Sequence, residues 1–478
     1  MVVEFDNPSH EELKELAAAQ QLVIEQQSAR IAELEARIVE LERRVGRNPR
    51  NSSMPPSAEG LSKPPANRAE RRAQKKRRPG KQPGDEGHHL AQVPDPDEVI
   101  RHRPTRCAAC KAELAEAEVV AVETRQVFEV PRTRAHVTEH QLVKLRCSCG
   151  CETKAPAPPE ATAPACYGPG VRALAVYLSV YQHVPYDRLA EIFADVLSMP
   201  VSVGAIKAMV AEAGGGLGLF LDVVADLLKD APAVHFDETG GRVEGSLHWI
   251  HVASSSLYTL LSCHKRRGTA AMDDIGVIAK MTGVAVHDGW KPYRSYDVVH
   301  ALCNAHHVRE LAGVVEHFDQ DWAEAMIDLL LDAKEAVEAA MAAGSTRLED
   351  KTVHSIRVRY GKLIAKGWAA NEQPSDTADG KWYQNTARNL LDRLDVYRDD
   401  VLRFTTDFNV PFDNNQGERD IRMVKLQQKI SGSWRTKAGA DHFCAIRSYV
   451  STMKKNGCDV LGGLHQLFKG RVWLPGET

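Results

Sequence analysis

The stretch that decides the fold is VHFDETGG, residues 234–241. Val234 and Phe236 alternate with His235 and Asp237, the period of a half-buried strand whose successive side chains point to opposite faces. Asp237 then stands near the strand's end, on the face away from Phe236, while Glu238 on the opposite face reads as structural. A blander alternative makes Gly240 and Gly241 a hairpin turn and the two acids a solvated strand end. The chain beyond them weighs against it. LHWIHVASS and SLYTLLSCH are two more strands at hairpin spacing, AMDDIGVIAK is helical, and VAVHDGW is a further strand that delivers Asp288 just ahead of a glycine. Three antiparallel strands, a helix and a fourth strand predict an RNase H-like sheet in which the first and fourth strands are neighbours. Asp237 and Asp288 then meet.

Two carboxylates hold divalent ions poorly for phosphoryl chemistry, and a third is usually needed to fix two ions about 3.5–4 Å apart. The candidate is Glu418, within VPFDNNQGERDIRMVKLQQKISGSWRT, near the start of a predicted helix that also carries Arg422 and Lys425. Read alone, Glu418 equally fits a capping box opened by Asn415. WAEAMIDLLLDAKEAVEAAMAAG and NLLDRLDVYRDDVLRF are helical by composition and period. A helical insertion over 319–405 therefore divides a catalytic core into 231–318 and 406–478. Cys303 and His306 have the spacing of half a metal site, but no second pair lies beside them in sequence, and a structural role is the simpler reading.

Upstream, Leu13, Ile24, Ile31, Leu34, Ile38, Leu41 and Val45 share one a/d heptad register over residues 1–46. Arg30 and Arg37 take g positions and Glu35 and Glu42 the following e positions, the charge pattern of a parallel coiled coil between two copies. One long amphipathic helix folded back on its own domain is the alternative. Residues 47–100 form a linker rich in proline, glycine, serine and charge, without apolar period. There Arg68, Arg71, Arg72, Lys75, Lys76, Arg77, Arg78 and Lys81 crowd together, enough charge to neutralise several phosphates, although a solvated spacer has the same composition.

Over 101–160, CAAC (Cys107, Cys110) and CSCGC (Cys147, Cys149, Cys151) offer five thiols for the four places around a tetrahedral Zn2+. The strand-like alternation between them predicts a small zinc-stapled sheet. From 166 to 230 three helices, broken at Pro185 and capped at Ser202, allow a helix-turn-helix-like block.

With 478 residues and 43% hydrophobic content, the chain can bury several cores. Its formal net charge of -3 hides an acidic start and a basic linker. It has no run of about 18 apolar residues, and its acidic N-terminus is unlike a secretion signal, so a cytoplasmic protein without a membrane partner is expected. In that reducing compartment clustered cysteines favour metal over disulfides.

Taken together, HFDET, VHDGWKPY, ALCNAHHVREL and NNQGERDIR, preceded by NSSMPPS and by a cysteine-rich module after a coiled coil, resemble the insertion-sequence-66 family of bacterial DDE transposases. The resemblance spans nearly the whole chain and departs from the family pattern at the third cysteine of CSCGC, which leaves open which four cysteines bind zinc. It implies a multidomain α+β protein in which Asp237, Asp288 and Glu418 are the catalytic acids and hold Mg2+ or Mn2+. CNAHHVRE would lie near the site, and the helical insertion before the glutamate. The expected activity is metal-dependent cleavage and strand transfer at insertion-sequence ends, in the bacterial cytoplasm at the nucleoid. Double-stranded DNA would be held by the basic linker and by Arg422, Lys425, Lys429 and Arg435, two copies would join through the heptads, and small proteins encoded by the same element would be accessory partners. Two competing expectations are a catalytically silent DNA-binding relative and an RNase H-like nuclease that cuts without joining.

Overall fold

A computed structural model describes residues 10–45, 51, 90–130, 133–371 and 386–476. The chain divides into two compact units, one of residues 1–65, 166–185 and 206–478, the other of residues 66–165 and 186–205. The heptad segment is a single helix, α1 (His10–Val45), which ends one residue before Gly46. Its apolar seam stays in solvent, from 45% exposed at Leu34 to 86% at Val45. The basic residues Arg68 to Lys81, among them Arg71, Arg72, Lys75, Lys76, Arg77 and Arg78, lie outside the described residues.

Among the described residues the second unit forms a two-stranded sheet, smaller than the alternation predicts. Its described strands are β1 (Lys144–Arg146) and β2 (Glu152–Lys154), an antiparallel pair around CSCGC. The alternating segment before them leaves its apolar side chains uncovered, with Val119, Val120, Val122, Val127, Phe128, Val130 and Val137 all exposed. Alternation stabilises a strand only where one of its faces leaves water. The helical block holds four helices rather than three: α3 (Tyr186–Leu197) and the start of α4 (Val203–Gly215) fall in this unit, while α2 (Pro169–Val176), the rest of α4 and α5 (Gly218–Lys229) fall in the first. Ser202 caps α4 as its position predicts, its Oγ accepting the Ala205 N–H at 3.1 Å.

The first unit is built on five strands. β3 (Ala233–Val243), β4 (Ser246–Ser254) and β5 (Thr259–His264) form an antiparallel meander; α6 (Thr269–Ile275) then leads to β6 (Val284–His287), and β7 (Val299–Leu302) follows. The spatial order is β5-β4-β3-β6-β7, with β6 parallel to both β3 and β7. The first and fourth strands are neighbours, as the sequence predicts. β7 is a strand that alternation does not announce, since its four residues run directly into the next helix.

The glycine pair does not turn the chain. β3 continues through Gly240 and Gly241 to Val243, and the turn is made by Glu244 and Gly245 at φ 53° and 75°, the left-handed geometry of a two-residue hairpin. The glycines clear a face instead: a Cβ on Gly241 would stand 2.8 Å from Gln428 Nε2. Asp237 is consequently in mid-strand opposite Val252 of β4, not at a free strand end. It lies two residues beyond the last pair that β3 shares with β6, His235 opposite Val286, so the same register brings Asp237 level with Asp288.

After β7 comes the helical insertion. α7 (Asn304–Phe318), α8 (Asp321–Ala342), α9 (Asp350–Ala370) and α10 (Thr386–Val396) pack around the buried Trp322, Met326, Leu330, Tyr360 and Leu391, and the short α11 (Arg398–Leu402) leans on β7. The chain then returns to the sheet. α12 (Asn415–Ser431) lies on β3 and β4, α13 (Lys437–Lys455) on β5, and α14 (Val460–Leu467) packs against α2. Val234, Phe236, Ile250, Val252, Leu261, Ala285 and Val286 form the sheet's share of the core. Each large one contributes about 1.5–3 kcal/mol by leaving water. Among the described residues no single helix is long and apolar enough to cross a membrane.

Candidate active site and cysteine module

Asp237 and Asp288 are fixed by their own backbones: Asp237 Oδ1 accepts the Glu238 N–H and Asp288 Oδ1 the Trp290 N–H, each at 2.8 Å. Gly289, at φ 92°, lets the chain turn away immediately after Asp288. Glu418 arrives on α12 through a joint made by Asn414. The Asn414 Nδ2 donates to the Phe236 carbonyl at 2.8 Å, its Oδ1 meets His235 Nδ1 at 2.8 Å, and its backbone N–H donates to Cys303 Sγ at 3.1 Å. With the amide nitrogen spent on Phe236, the His235 proton belongs on Nδ1. Gly417 allows the close approach, since a Cβ there would sit 3.2 Å from Asn414 Oδ1 and 3.4 Å from His235 Cβ. The capping box is not formed: Asn414, not Asn415, is the cap residue, its side chain makes no cap bond, and Asp413 Oδ1 instead accepts the Asn415 N–H at 3.0 Å.

The acids feel one another. Burial holds the Asp237 carboxyl well above its ordinary value, and the charges of Glu238, Asp288 and Glu418 push it further. Glu418 is raised as well, first by burial, with the Arg309 guanidinium opposing and Asp413 and Asp288 adding to the rise. Carboxyls that raise one another form a site that gains by binding a cation.

Glu238 points to the other face and is 2% exposed, paired with Arg267 at 2.6 Å. Its second oxygen accepts the Tyr293 hydroxyl at 2.6 Å. Arg267 is stacked over Trp290 at 4.0 Å and Trp249 at 4.8 Å. Asp420, two residues after Glu418, is also spoken for. It binds Lys455 at 2.8 Å and accepts from Ser254 at 2.5 Å, Thr259 at 3.1 Å and Gln416 at 3.0 Å. Neither acid is open to a metal.

CNAHHVRE lies beside Glu418 on α7, where the resemblance puts it, but the sequence alone does not say what His306 and Arg309 do there. Glu418 Oε1 faces His306 Nδ1 at 3.7 Å and Arg309 Nη2 at 3.6 Å, both beyond hydrogen-bond reach. Among the described residues, Cys303, His306 and Glu418 are the one trio whose metal-ligand atoms lie within 4.8 Å of one another. The partner that Cys303 and His306 lack nearby in sequence comes from a helix more than a hundred residues on. The available signal was the three-residue spacing of His306 and Arg309 on one helix face.

Of the basic residues proposed for DNA, Arg422, Lys429 and Arg435 are exposed. Lys425 is engaged instead, its Nζ donating to the Gly240 carbonyl at 2.6 Å.

The cysteines form two matching turns. In CAAC the Cys107 N–H donates to the Ala112 carbonyl at 2.8 Å and the Lys111 N–H to the Cys107 carbonyl at 3.1 Å, with Lys111 at φ 61°. CSCGC repeats this one residue shorter: the Cys147 N–H donates to the Cys151 carbonyl at 2.8 Å and the Gly150 N–H to the Cys147 carbonyl at 2.9 Å, with Gly150 at φ 89°. The first thiol of each turn is drawn below its ordinary value, Cys107 chiefly by the Cys110 N–H and Cys147 chiefly by the Cys149 N–H. Cys151 thus occupies the place of Ala112. No three of the five thiols lie within 4.8 Å of one another.

A search of curated proteins finds no match for this chain. The model of a family of unknown function (DUF6444) matches residues 5–91. The model described as "Transposase IS66 family" matches residues 164–442, from the first helices of the block through the sheet, the insertion and the glutamate helix. That match covers more than half of the 478 residues, and the chain belongs to the IS66 transposase family.

Proposed function

We propose that this transposase is a DDE enzyme in which Asp237, Asp288 and Glu418, on an RNase H-like core, hold two Mg2+ or Mn2+ ions and act on the ends of an insertion sequence. The observation that carries the reading is the elevation of Asp237 and Glu418, each raised first by burial and then by neighbouring carboxylates that include Asp288. Two strands and a helix hold the carboxylates rigidly, as pre-organised phosphoryl-transfer sites require. Bound ions would activate first water and then the freed DNA 3′-hydroxyl and neutralise the leaving oxygen, so that cleavage and joining are one chemistry. The chain's own part is to aim the acids: Asn414 and Gly417 set Glu418, and the Glu238–Arg267–Tyr293 group supports Asp237 from behind. Arg422, Lys429 and Arg435 would hold DNA phosphates, and Lys425 positions β3.

The matching turns favour Cys107, Cys110, Cys147 and Cys149 as the zinc ligands, with Cys151 outside the set. This module, the helical block and the basic linker would recognise double-stranded terminal repeats, while α1 pairs two copies to bring two ends together. The setting would be the bacterial nucleoid, with small proteins of the same element as accessory partners.

The test is strand transfer of a labelled, pre-cleaved end into plasmid DNA with Mg2+ or Mn2+. Joined product from the native chain that is lost in both Asp237→Asn and Glu418→Gln is expected. Cut but unjoined product would make the chain a nuclease. Tight end binding with neither, even with the neighbouring gene products added, would make it a silent DNA-binding relative.

A further inference from the structure

Cys303, His306 and Glu418 meet at a junction that packing alone does not explain. His306 Nδ1 and Glu418 Oε1 are both buried with no hydrogen-bond partner, and they face each other at 3.7 Å. Leaving such an atom without a hydrogen bond costs on the order of 1–3 kcal/mol, which for Glu418 the Arg309 guanidinium at 3.6 Å partly offsets. One nitrogen of His306, one carboxylate oxygen of Glu418 and the Cys303 sulfur all lie within 4.8 Å of one another. Cys303 is the residue that begins α7, where the helix dipole favours negative charge, and its sulfur accepts the Asn414 N–H at 3.1 Å. These N–H donors favour the thiolate, while burial outweighs them and pushes the Cys303 thiol up to about 12.

We infer that Cys303, His306 and Glu418 form a three-ligand site for a borderline-soft divalent cation of the Zn2+ class, distinct from the hard-ion site of the three acids but sharing Glu418 with it. One sulfur, one imidazole nitrogen and one carboxylate oxygen are the donors Zn2+ selects, and three protein ligands leave a fourth position open. Mg2+ has no use for the thiolate or the imidazole. Binding exchanges the Cys303 proton for the metal and releases it to solvent. The opposing charges are Arg309, 3.6 Å from the same Glu418 oxygen, and Arg393, which is paired with Glu310. Thiolate and carboxylate together bring two negative charges against them. A cation here would tie Glu418 to α7 and so fix the carboxylate that α12 delivers to the aspartates. The inference uses the proposed catalytic role of Glu418 only for this consequence.

Co2+ reports thiolate ligation through its charge-transfer absorption, and excess Mg2+ keeps it out of a hard-ion site. Full-length protein stripped with chelator is titrated with Co2+ in millimolar Mg2+, as wild type, Cys303→Ser, His306→Ala and Asp237→Asn. The zinc module gives the same background in all four. Wild type and Asp237→Asn are expected to bind one equivalent more than the other two, with additional thiolate absorption. Equal stoichiometry and equal spectra in wild type, Cys303→Ser and His306→Ala would overturn the site. If Cys303→Ser does not fold, judged by its melting transition, the His306→Ala variant decides. Equal stoichiometry with strand transfer still dependent on Asp237 removes this site and keeps the transposase reading; the extra equivalent without strand transfer does the reverse.

Discussion

Glu238 shows how much the site depends on single side chains. Its carboxylate is buried and held by Arg267 and Tyr293, while the Arg267 guanidinium lies over Trp290 and Trp249. Arg267→Ala strands a buried charge, which costs about 3–5 kcal/mol for a fully buried pair and less here, about 2 kcal/mol, because Arg267 is 38% exposed. Lysine should not restore it, since an ammonium can neither stack nor bind in a fork. Urea unfolding of Arg267→Ala and Arg267→Lys checks both statements, and a wild-type midpoint in either would remove the support role. Asp237 gives a pH prediction. An unfolded aspartate ionises near pH 3.9, and the folded one is held well above that by burial and by Glu238 and Asp288. The folded state therefore keeps a proton the unfolded state has lost, so stability falls as pH rises from the unfolded value through the folded one and stays lost above it. Glu238 and Glu418 have the same sign. In metal-free buffer Asp237→Asn should thus melt above wild type at pH 7.5, with the gap closing toward pH 4, and added Mg2+ should raise the wild type more than the variant. A variant that melts below wild type at pH 7.5 would mean that the carboxylate is not confined at a cost.

At the scale of the element, α12 does most to assemble the site, and glycine makes its position possible. Gly417 has room for no branched side chain against His235 and Asn414, and Gly241 has none against Gln428. Gly417→Val should lift the first turn of α12, at about 1–3 kcal/mol of overpacking, and carry Glu418 with it. Strand transfer is expected to fall at least tenfold while the circular dichroism spectrum is kept; retained activity would show that the helix tolerates displacement. Much of this element structure is legible in the sequence. Val234, Phe236, Val284 and Val286 alternate plainly enough to predict the neighbouring strands and hence the meeting of Asp237 and Asp288. What is not legible depends on residues far along the chain. Gly240 and Gly241 look like a turn because Lys425 and Gln428, which occupy the space they leave, follow some 185 residues later. Asn415 looks like a cap because nothing local says that Asn414 is bound to β3. Cys303 and His306 look like half of nothing until Glu418 folds onto them, and the valines after Val119 alternate yet stay uncovered.

On the scale of the whole molecule, the two family models meet the chain in separate places, residues 5–91 and residues 164–442, as expected of modules with separate tasks. The N-terminal one contains α1, whose 36 residues expose Ile24, Ile31, Leu34, Ile38, Leu41 and Val45 along one seam. A solvated helix with an unburied apolar stripe has little tertiary packing to hold it, and tertiary packing supplies most helical stability in proteins. In the proposed dimer a second copy would cover the stripe. Isoleucine at the a positions 24, 31 and 38 with leucine at the d positions 34 and 41 is the combination that favours two parallel strands, and Arg30 and Arg37 would face Glu35 and Glu42 of the second helix. Replacing Ile31 and Ile38 by lysine places two charges at the centre of that seam in each copy. Losing one buried isoleucine side chain costs about 2–5 kcal/mol, so the pair should weaken association by at least about a thousandfold. Sedimentation of the full-length chain is then expected to move from dimer to monomer at micromolar concentration. Strand transfer of two ends in concert should fall with it, while single-end cleavage persists because the acids are untouched. An unchanged dimer would place self-association outside α1, and a monomeric wild type would mean that the stripe receives a different partner.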